Sequence, residues 1–193
     1  MQNHKLEGTR VAILATDGVE DAELREPRQA LEASGAKTTL FAPKEGSIQS
    51  FKHHDKADNF KVDMSLSQAD PSQFDAVLLP GGALNADTLR VQPHAQEFVR
   101  EMDRQGKPIA VICHAPWLLI SAGCVSGRTI TSYHTIQDDL RNAGANWRDE
   151  EVVRYRNWVS SRQPSDISAF NREMVELFAE KRKSSEDRTR RAA

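Results

Sequence analysis

The sequence predicts one α/β domain with a mainly parallel sheet held between layers of helix, and three observations carry that prediction. Short apolar, partly β-branched runs recur along the chain at residues 11–15, 74–79 and 109–112, each of the length that a strand buried on both faces needs. Between them lie stretches of helical length and pattern, so the chain opens strand, helix, strand with a right-handed crossover. Its 193 residues, 38% hydrophobic and 28% charged, suffice for one compact core and leave little for a second.

Residues 11–15 form the first strand, and Thr16-Asp17-Gly18 supplies the turn after it. Residues 20–34 read as a helix, acidic in its first turn and stopped by Gly35; Pro27 inside it predicts a kink or a displaced start. Residues 37–42 alternate toward a second strand. The segment 43–63 reads as an excursion, a small hairpin made from an extended piece near 48–51 and Phe60-Lys61-Val62, with a polar loop between them. In that loop His53-His54-Asp55 is the nearest approach to a metal cluster, and its lysine neighbours Lys52 and Lys56 predict a solvent-facing loop instead. Residues 74–79 form a central strand that ends in Pro80-Gly81-Gly82, where glycines let backbone N–H groups approach a ligand or take positive φ. Asn85-Ala86-Asp87 is expected to cap a helix over 88–105, with Leu89, Phe98, Val99 and Met102 facing the core.

Gly106 and Pro108 end that helix, and Ile109–Ile112 is a buried strand that stops at Cys113. Ala115 and Pro116 read as the first turn of the next helix, where a proline loses nothing by lacking its N–H. Cys113 therefore stands between strand and helix, the position of a nucleophile elbow, with Val111 and Ala115 where the G-x-S-x-G version has glycines. A helix N-terminus there is expected to stabilise a thiolate. Position alone leaves a second reading open, that of a cysteine serving as a small buried hydrophobe. Beyond it come a loop at 123–127 holding Cys124, a strand at 129–133, a helix at 136–143, a hairpin of strands 151–155 and 158–161, and a last helix after Pro164. Ile167, Phe170, Met174, Leu177 and Phe178 are its apolar stripe. Residues 181–193 carry six Lys or Arg against two acids and are expected to be a disordered charged tail to a domain of residues 1–180.

A formal net charge of −2, with no basic run interleaved with aromatics, argues against a nucleic-acid ligand. No apolar stretch approaches the ~18 residues of a membrane span, and residues 1–8 are polar rather than a signal peptide, so a cytoplasmic location is expected. Two cysteines without a C-x-x-C fit a reducing compartment, and neither a metal nor a cofactor is expected.

Four separated pieces, D-G-V-E-D-A-E at 17–23, L-L-P-G-G at 78–82, A-V-I-C-H-A-P at 110–116 and N-W-V-S-S-R-Q-P at 157–164, together resemble the ThiJ/PfpI family, and the last points to its PfpI-like branch of stress proteins. The resemblance covers about residues 9–180 and implies a three-layer, flavodoxin-like sandwich of the kind shared with class I glutamine amidotransferases. It implies that Cys113 is the reactive thiol and that a glutamate of the first helix contacts it. Glu20 and Glu23 both qualify, and the family's spacing from that glutamate to a proline, here Pro27, favours Glu23. A carboxyl against sulfur is coherent only when protonated and donating. His114 matches the histidine after the nucleophile, which the family orients with an acid from the adjacent subunit; Asp87 stands where that acid is expected, so the resemblance implies at least a homodimer. Gly81 and Gly82, with the His114 amide, are the expected oxyanion or substrate-binding positions. The implied function is glyoxalase- or deglycase-like chemistry on a small carbonyl compound, or hydrolysis of a peptide or protein. The alternative is a redox sensor or chaperone-like protein whose Cys113 is oxidised to a sulfenic or sulfinic acid. Glutamine amidotransferases need a catalytic histidine downstream, and this chain has none after His134.

Overall fold

The computed structural model describes residues 5–192, with side chains through residue 182. Seven strands form the main sheet. In space they run β6 (Met64–Ser65), β3 (Lys37–Ala42), β1 (Arg10–Leu14), β7 (Ala76–Leu79), β8 (Ile109–Ile112), β12 (Trp158–Ser161) and β11 (Val152–Tyr155), and every pairing is parallel except the last, β12 with β11. The winding is flavodoxin-like. Its order reverses beside β1, so the loops after β1 and β7 part there and open a crevice at the carboxyl ends of the strands.

Alternation along the strands fills both faces. Val11 and Ile13 of β1 point into a core closed by α1 (Asp21–Ala33) and α6 (Ile167–Ala192), with Leu24, Leu31, Phe170, Met174 and Phe178. Ala12 and Leu14 point the other way, toward Phe98 and Met102 of α3 (Pro93–Arg104) and Leu118 and Leu119 of α4 (Pro116–Ser121). These two apolar layers make the three-layer sandwich.

Several elements differ from the sequence expectation for identifiable reasons. Helix α1 begins at Asp21 because Glu20 lies in the short strand β2 (Val19–Glu20), and Pro27 stays buried inside the helix without ending it. The polar loop expected through residue 59 is instead strand β5 (Asp55–Lys61), paired antiparallel with β4 (Ser47–Lys52); β4 pairs in turn with β2. Polar residues suffice because that strand is largely solvated. The single helix expected over 88–105 is two, α2 (Ala83–Arg90) and α3, since Pro93 holds Gln92 extended and opens a new helix at its own first position. Asn85, expected to cap, lies inside α2. The strand at 129–133 is cut to β9 (Thr129–Ile130), which pairs with β10 (Asn146–Trp147) in a separate two-stranded sheet; α5 (Gln137–Asn142) lies between them. Helix α6 continues to Ala192, through the segment expected to be a disordered tail: Lys, Arg and Glu favour helix, and extending a packed helix needs no new nucleus. Residue 193 lies outside the described residues.

The N-W-V-S-S-R-Q-P stretch earns its pattern by packing. The Trp158 indole N–H and the Asn157 amide both donate to Asp103, which Arg128 also grips through two bonds of 2.7 and 2.8 Å while lying 4.1 Å over the Trp158 ring. Ser160 accepts the Thr131 amide, and Ser161 donates to the Glu151 carbonyl.

Candidate active site

The carboxyl ends of β1, β7 and β8 bring the turn at Thr16–Gly18, the Pro80–Gly82 loop and Cys113 to one place. Cys113 has φ of 63°, a left-handed conformation that costs a non-glycine residue roughly 1–3 kcal/mol. Hydrogen bonds hold the residue there from both sides: its N–H donates to the Ser161 carbonyl at 3.1 Å, and its carbonyl accepts the Tyr133 N–H at 2.9 Å. Asn85, fully buried, ties the neighbouring loops together. Its side-chain oxygen accepts the Thr16 amide at 2.7 Å, and its amide nitrogen donates to the carbonyls of Pro80 and Gly81.

His114 turns back on its own neighbour, placing Nδ1 3.1 Å from the Cys113 sulfur, while Nε2 lies 3.3 Å from the Thr135 hydroxyl. With Nε2–H donating to Thr135, Nδ1 is left as the acceptor for the thiol proton. Tyr133 stacks on the imidazole at 4.8 Å and Trp117 meets it edge-on at 5.5 Å. Burial, with help from nearby His134, holds the imidazole pKa below its ordinary value, so it is neutral at pH 7 and available as a base.

Glu23 rises from α1 into the same point with no exposed surface. Oε2 accepts the Gly81 amide at 3.0 Å; Oε1 is buried with no hydrogen-bond partner, and the Cys113 thiol is the polar side chain beside the carboxyl. Burial pushes Glu23 up to about 8, against the pull of Cys113 and the Gly81 amide and with the Glu20 charge adding to the rise. The carboxyl is therefore protonated at pH 7 and can donate to sulfur. Burial also drives the Cys113 thiol well above its ordinary value, helped by any charge on Glu23, while the Gly82 and His114 amides that face the sulfur act in the other sense. This corrects the expected ready-made thiolate. Cys113 is 6% exposed, and desolvation outweighs what the one short helix α4 can offer.

A cleft of about 810 Å³ opens over the thiol. Of the residues named from sequence, Cys113, His114, Glu23, Glu20 and Gly82 line it. Gly81 supplies structure instead of a free oxyanion donor, since its N–H is taken by Glu23; a Cβ there would stand 2.4 Å from the Glu23 carboxylate and 2.6 Å from Cys113 Cβ. Glu20 turns outward, its carboxylate accepting the His53 N–H at 3.1 Å. Asp87 is exposed on α2 and does not line the cleft of its own chain. Sequence reasoning missed Tyr133 and Thr135 beside His114, the His53-His54 pair at the rim, and Ser165; Gln163 and Pro164, which also line the cleft, close the N-W-V-S-S-R-Q-P motif without having been given a role there. Ser165 follows directly on that motif, which was a signal that it belongs to the site. Among the described residues no cluster of three or more His, Cys, Asp or Glu is placed to hold a metal, and no helix is long and apolar enough to cross a membrane.

Comparison with known proteins adds the lineage. The family model for the DJ-1/PfpI family matches residues 9–177. The chain is 43% identical over 169 residues to Deglycase TK1284 of Thermococcus kodakarensis, covering 88% of this chain and 99% of that one. It is 37% identical over 170 residues to Protein/nucleic acid deglycase 2 of Escherichia coli, covering 88% and 97%. Among solved structures, a two-domain protein from Anabaena variabilis containing DJ-1/ThiJ/PfpI-like and ferritin-like domains superposes with a TM-score of 0.81 at 31% identity. The match takes in 87% of this chain and 47% of that one, so this chain spans about half of the longer protein. With its elbow cysteine, the glutamate against it and this match over nearly its whole core, the chain belongs to the DJ-1/PfpI family.

Proposed function

We propose that this chain is a cysteine-dependent deglycase acting on the adducts that 2-oxoaldehydes form with thiols and amines. The observation that carries the reading is the pair at the cleft floor: Cys113 sulfur 3.1 Å from an imidazole nitrogen, on a backbone strained into the elbow conformation. The thiol proton passes to His114 Nδ1 as sulfur bonds to the carbonyl carbon, so nucleophile and base act in one step without a preformed thiolate. The Gly82 and His114 amides meet the oxygen on which charge develops. Glu23, protonated, steadies the sulfur and carries no charge that would oppose the anion. Adduct plus one water balance to the free thiol or amine and a 2-hydroxy acid: the aldehyde-derived carbon is oxidised and its neighbour reduced, so no outside oxidant or reductant enters. The named deglycase relatives support the same reading. A second copy of the chain, lending Asp87 toward His114, is part of the proposal; Leu84, 63% exposed, shares a face of α2 with Asp87, and Val91, 67% exposed, follows at the end of that helix, so the two give such a contact its apolar surface.

The test follows a methylglyoxal-modified thiol peptide by NMR under anaerobic conditions. Wild type is expected to release free thiol and lactate in equal amounts, and Cys113→Ser to leave the adduct to decay at the buffer rate. Decay at the buffer rate with wild type would sink the reading.

A further inference from the structure

We propose that the histidine pair at the tip of the β4–β5 hairpin is a subsite for an anionic group of the substrate, a carboxylate or a phosphate ester, while the electrophilic carbonyl sits at Cys113. The proposal rests on Cys113 being the attacking group, as above, and adds the class of molecule it receives.

His53 and His54 line the same cleft as Cys113 and His114. Among the described residues only three non-glycines have positive φ, and two of them, His53 at 55° and Cys113 at 63°, face this one cleft. A left-handed histidine persists only where its surroundings over-determine it. Here the tip is anchored on three sides: Glu20 accepts the His53 N–H at 3.1 Å, β2 pairs Glu20 with Phe51, and Ser50 donates to Asp21 of α1 at 2.8 Å. The strain thus holds two imidazoles at the rim. Neither has a hydrogen-bond or ion-pair partner among the described residues, and both are exposed.

Charge decides what they receive. The tip reads Lys52-His53-His54-Asp55-Lys56, two ammonium groups and two imidazoles against one carboxylate. Glu20 stands at the tip as well, but its carboxylate is taken up by the His53 N–H, and Glu23 is buried beneath the thiol with no exposed surface, so the polar side chains left open to a ligand at this rim are the two imidazoles. A substrate with an electrophilic carbon at one end and an oxyanion at the other can set its carbon at Cys113 and its oxyanion on the imidazole N–H donors, which also orients it for attack. A metal is a poorer occupant, because no third ligand is within reach of the pair among the described residues.

Affinity alkylation of Cys113 reads this without needing turnover. N-iodoacetyl-β-alanine is compared with its amide, and N-iodoacetyl-aminoethyl phosphate with N-iodoacetyl-ethanolamine, each rate at Cys113 measured by peptide mapping and divided by the rate with a free thiol. The normalised ratio of acid to neutral reagent is expected near tenfold in wild type, the size of one charge-assisted hydrogen bond of about 1.4 kcal/mol. It should fall toward one in the His53→Gly, His54→Ala double variant. Glycine accepts the left-handed backbone, so the loss reports the imidazole and not the hairpin. Preference for only one acid reagent names the source, carboxylate or phosphate. A wild-type ratio at or below one, or a ratio that the double variant keeps, overturns the subsite. Because alkylation asks only for a thiol, an acid preference without deglycation would leave the subsite standing while the deglycase reading fell.

Discussion

Cys113 and His114 are consecutive in the chain, yet the sulfur of one lies 3.1 Å from the Nδ1 of the other, because the positive φ of Cys113 folds the backbone so that both side chains enter one cleft. The thiol is buried and uncharged, its base is neutral, and the carboxyl behind them is protonated. Reactivity at neutral pH is then a property of the pair, released by proton transfer when substrate arrives.

Thiolate absorbance should expose that state. In a Cys124→Ser background, the Cys113 thiol is expected to show no ionisation below pH 9, since burial holds it well above that ordinary value. An inflection near pH 6 would mean that the elbow stabilises a thiolate after all. His114→Ala should slow alkylation of Cys113 at pH 7 by about tenfold or more, as removal of a positioned base does.

Glu23 should write its protonation into stability. Its folded value near 8 lies above the ordinary 4.5, so its contribution is fully present below pH 4.5 and is lost as pH rises toward 8. Relative to Glu23→Gln, the wild type should lose about 1.4 kcal/mol per pH unit across that window and run parallel to it outside. Urea unfolding of both proteins from pH 4 to 9 measures the difference; parallel curves throughout would place an ionised carboxylate at this site.

Gly81→Ala should abolish activity while leaving a foldable chain. The added methyl meets Glu23 Oε2, Cys113 Cβ and the Ile112 carbonyl at 2.4, 2.6 and 2.9 Å, a crowding that typically costs about 1–3 kcal/mol. Circular dichroism with thermal melting, beside the deglycation assay, checks both halves. Full activity would show that the carboxyl and thiol need not be held in register.

Mixing tests the shared site. Asp87→Ala and His114→Ala are each expected to be inactive and folded, and an equal mixture that exchanges subunits should recover about a quarter of wild-type activity, since half the dimers are mixed and one site in each is complete. No recovery under proven exchange would confine the machinery to one chain, with Thr135 as the partner of His114.

How much of this was legible in the sequence depends on whether the signal was local. Apolar runs with turn residues between them placed the strands that build the sheet, because a strand buried on both faces must be apolar throughout. The elbow was visible for the same reason: the strand ends at Ile112, the cysteine follows at once, and Pro116 opens the next helix three residues on. Glu20 and Glu23 both fit a charged first turn; the resemblance favoured Glu23 by its spacing to Pro27, and packing supplies the physical difference, one turned out to the His53 amide and the other closed in against Cys113. The two-helix break at Pro93 was written in the sequence, whereas strand β5 was not, since a solvated strand carries no hydrophobic period. What the sequence by itself determined is the layered fold and the presence of a cysteine at its elbow. The charge states at that elbow were decided by the tertiary structure alone: pKa values follow from desolvation and from neighbours brought together across the chain, and the burial that lifts Glu23 and Cys113 exists only once both faces of the sheet are covered.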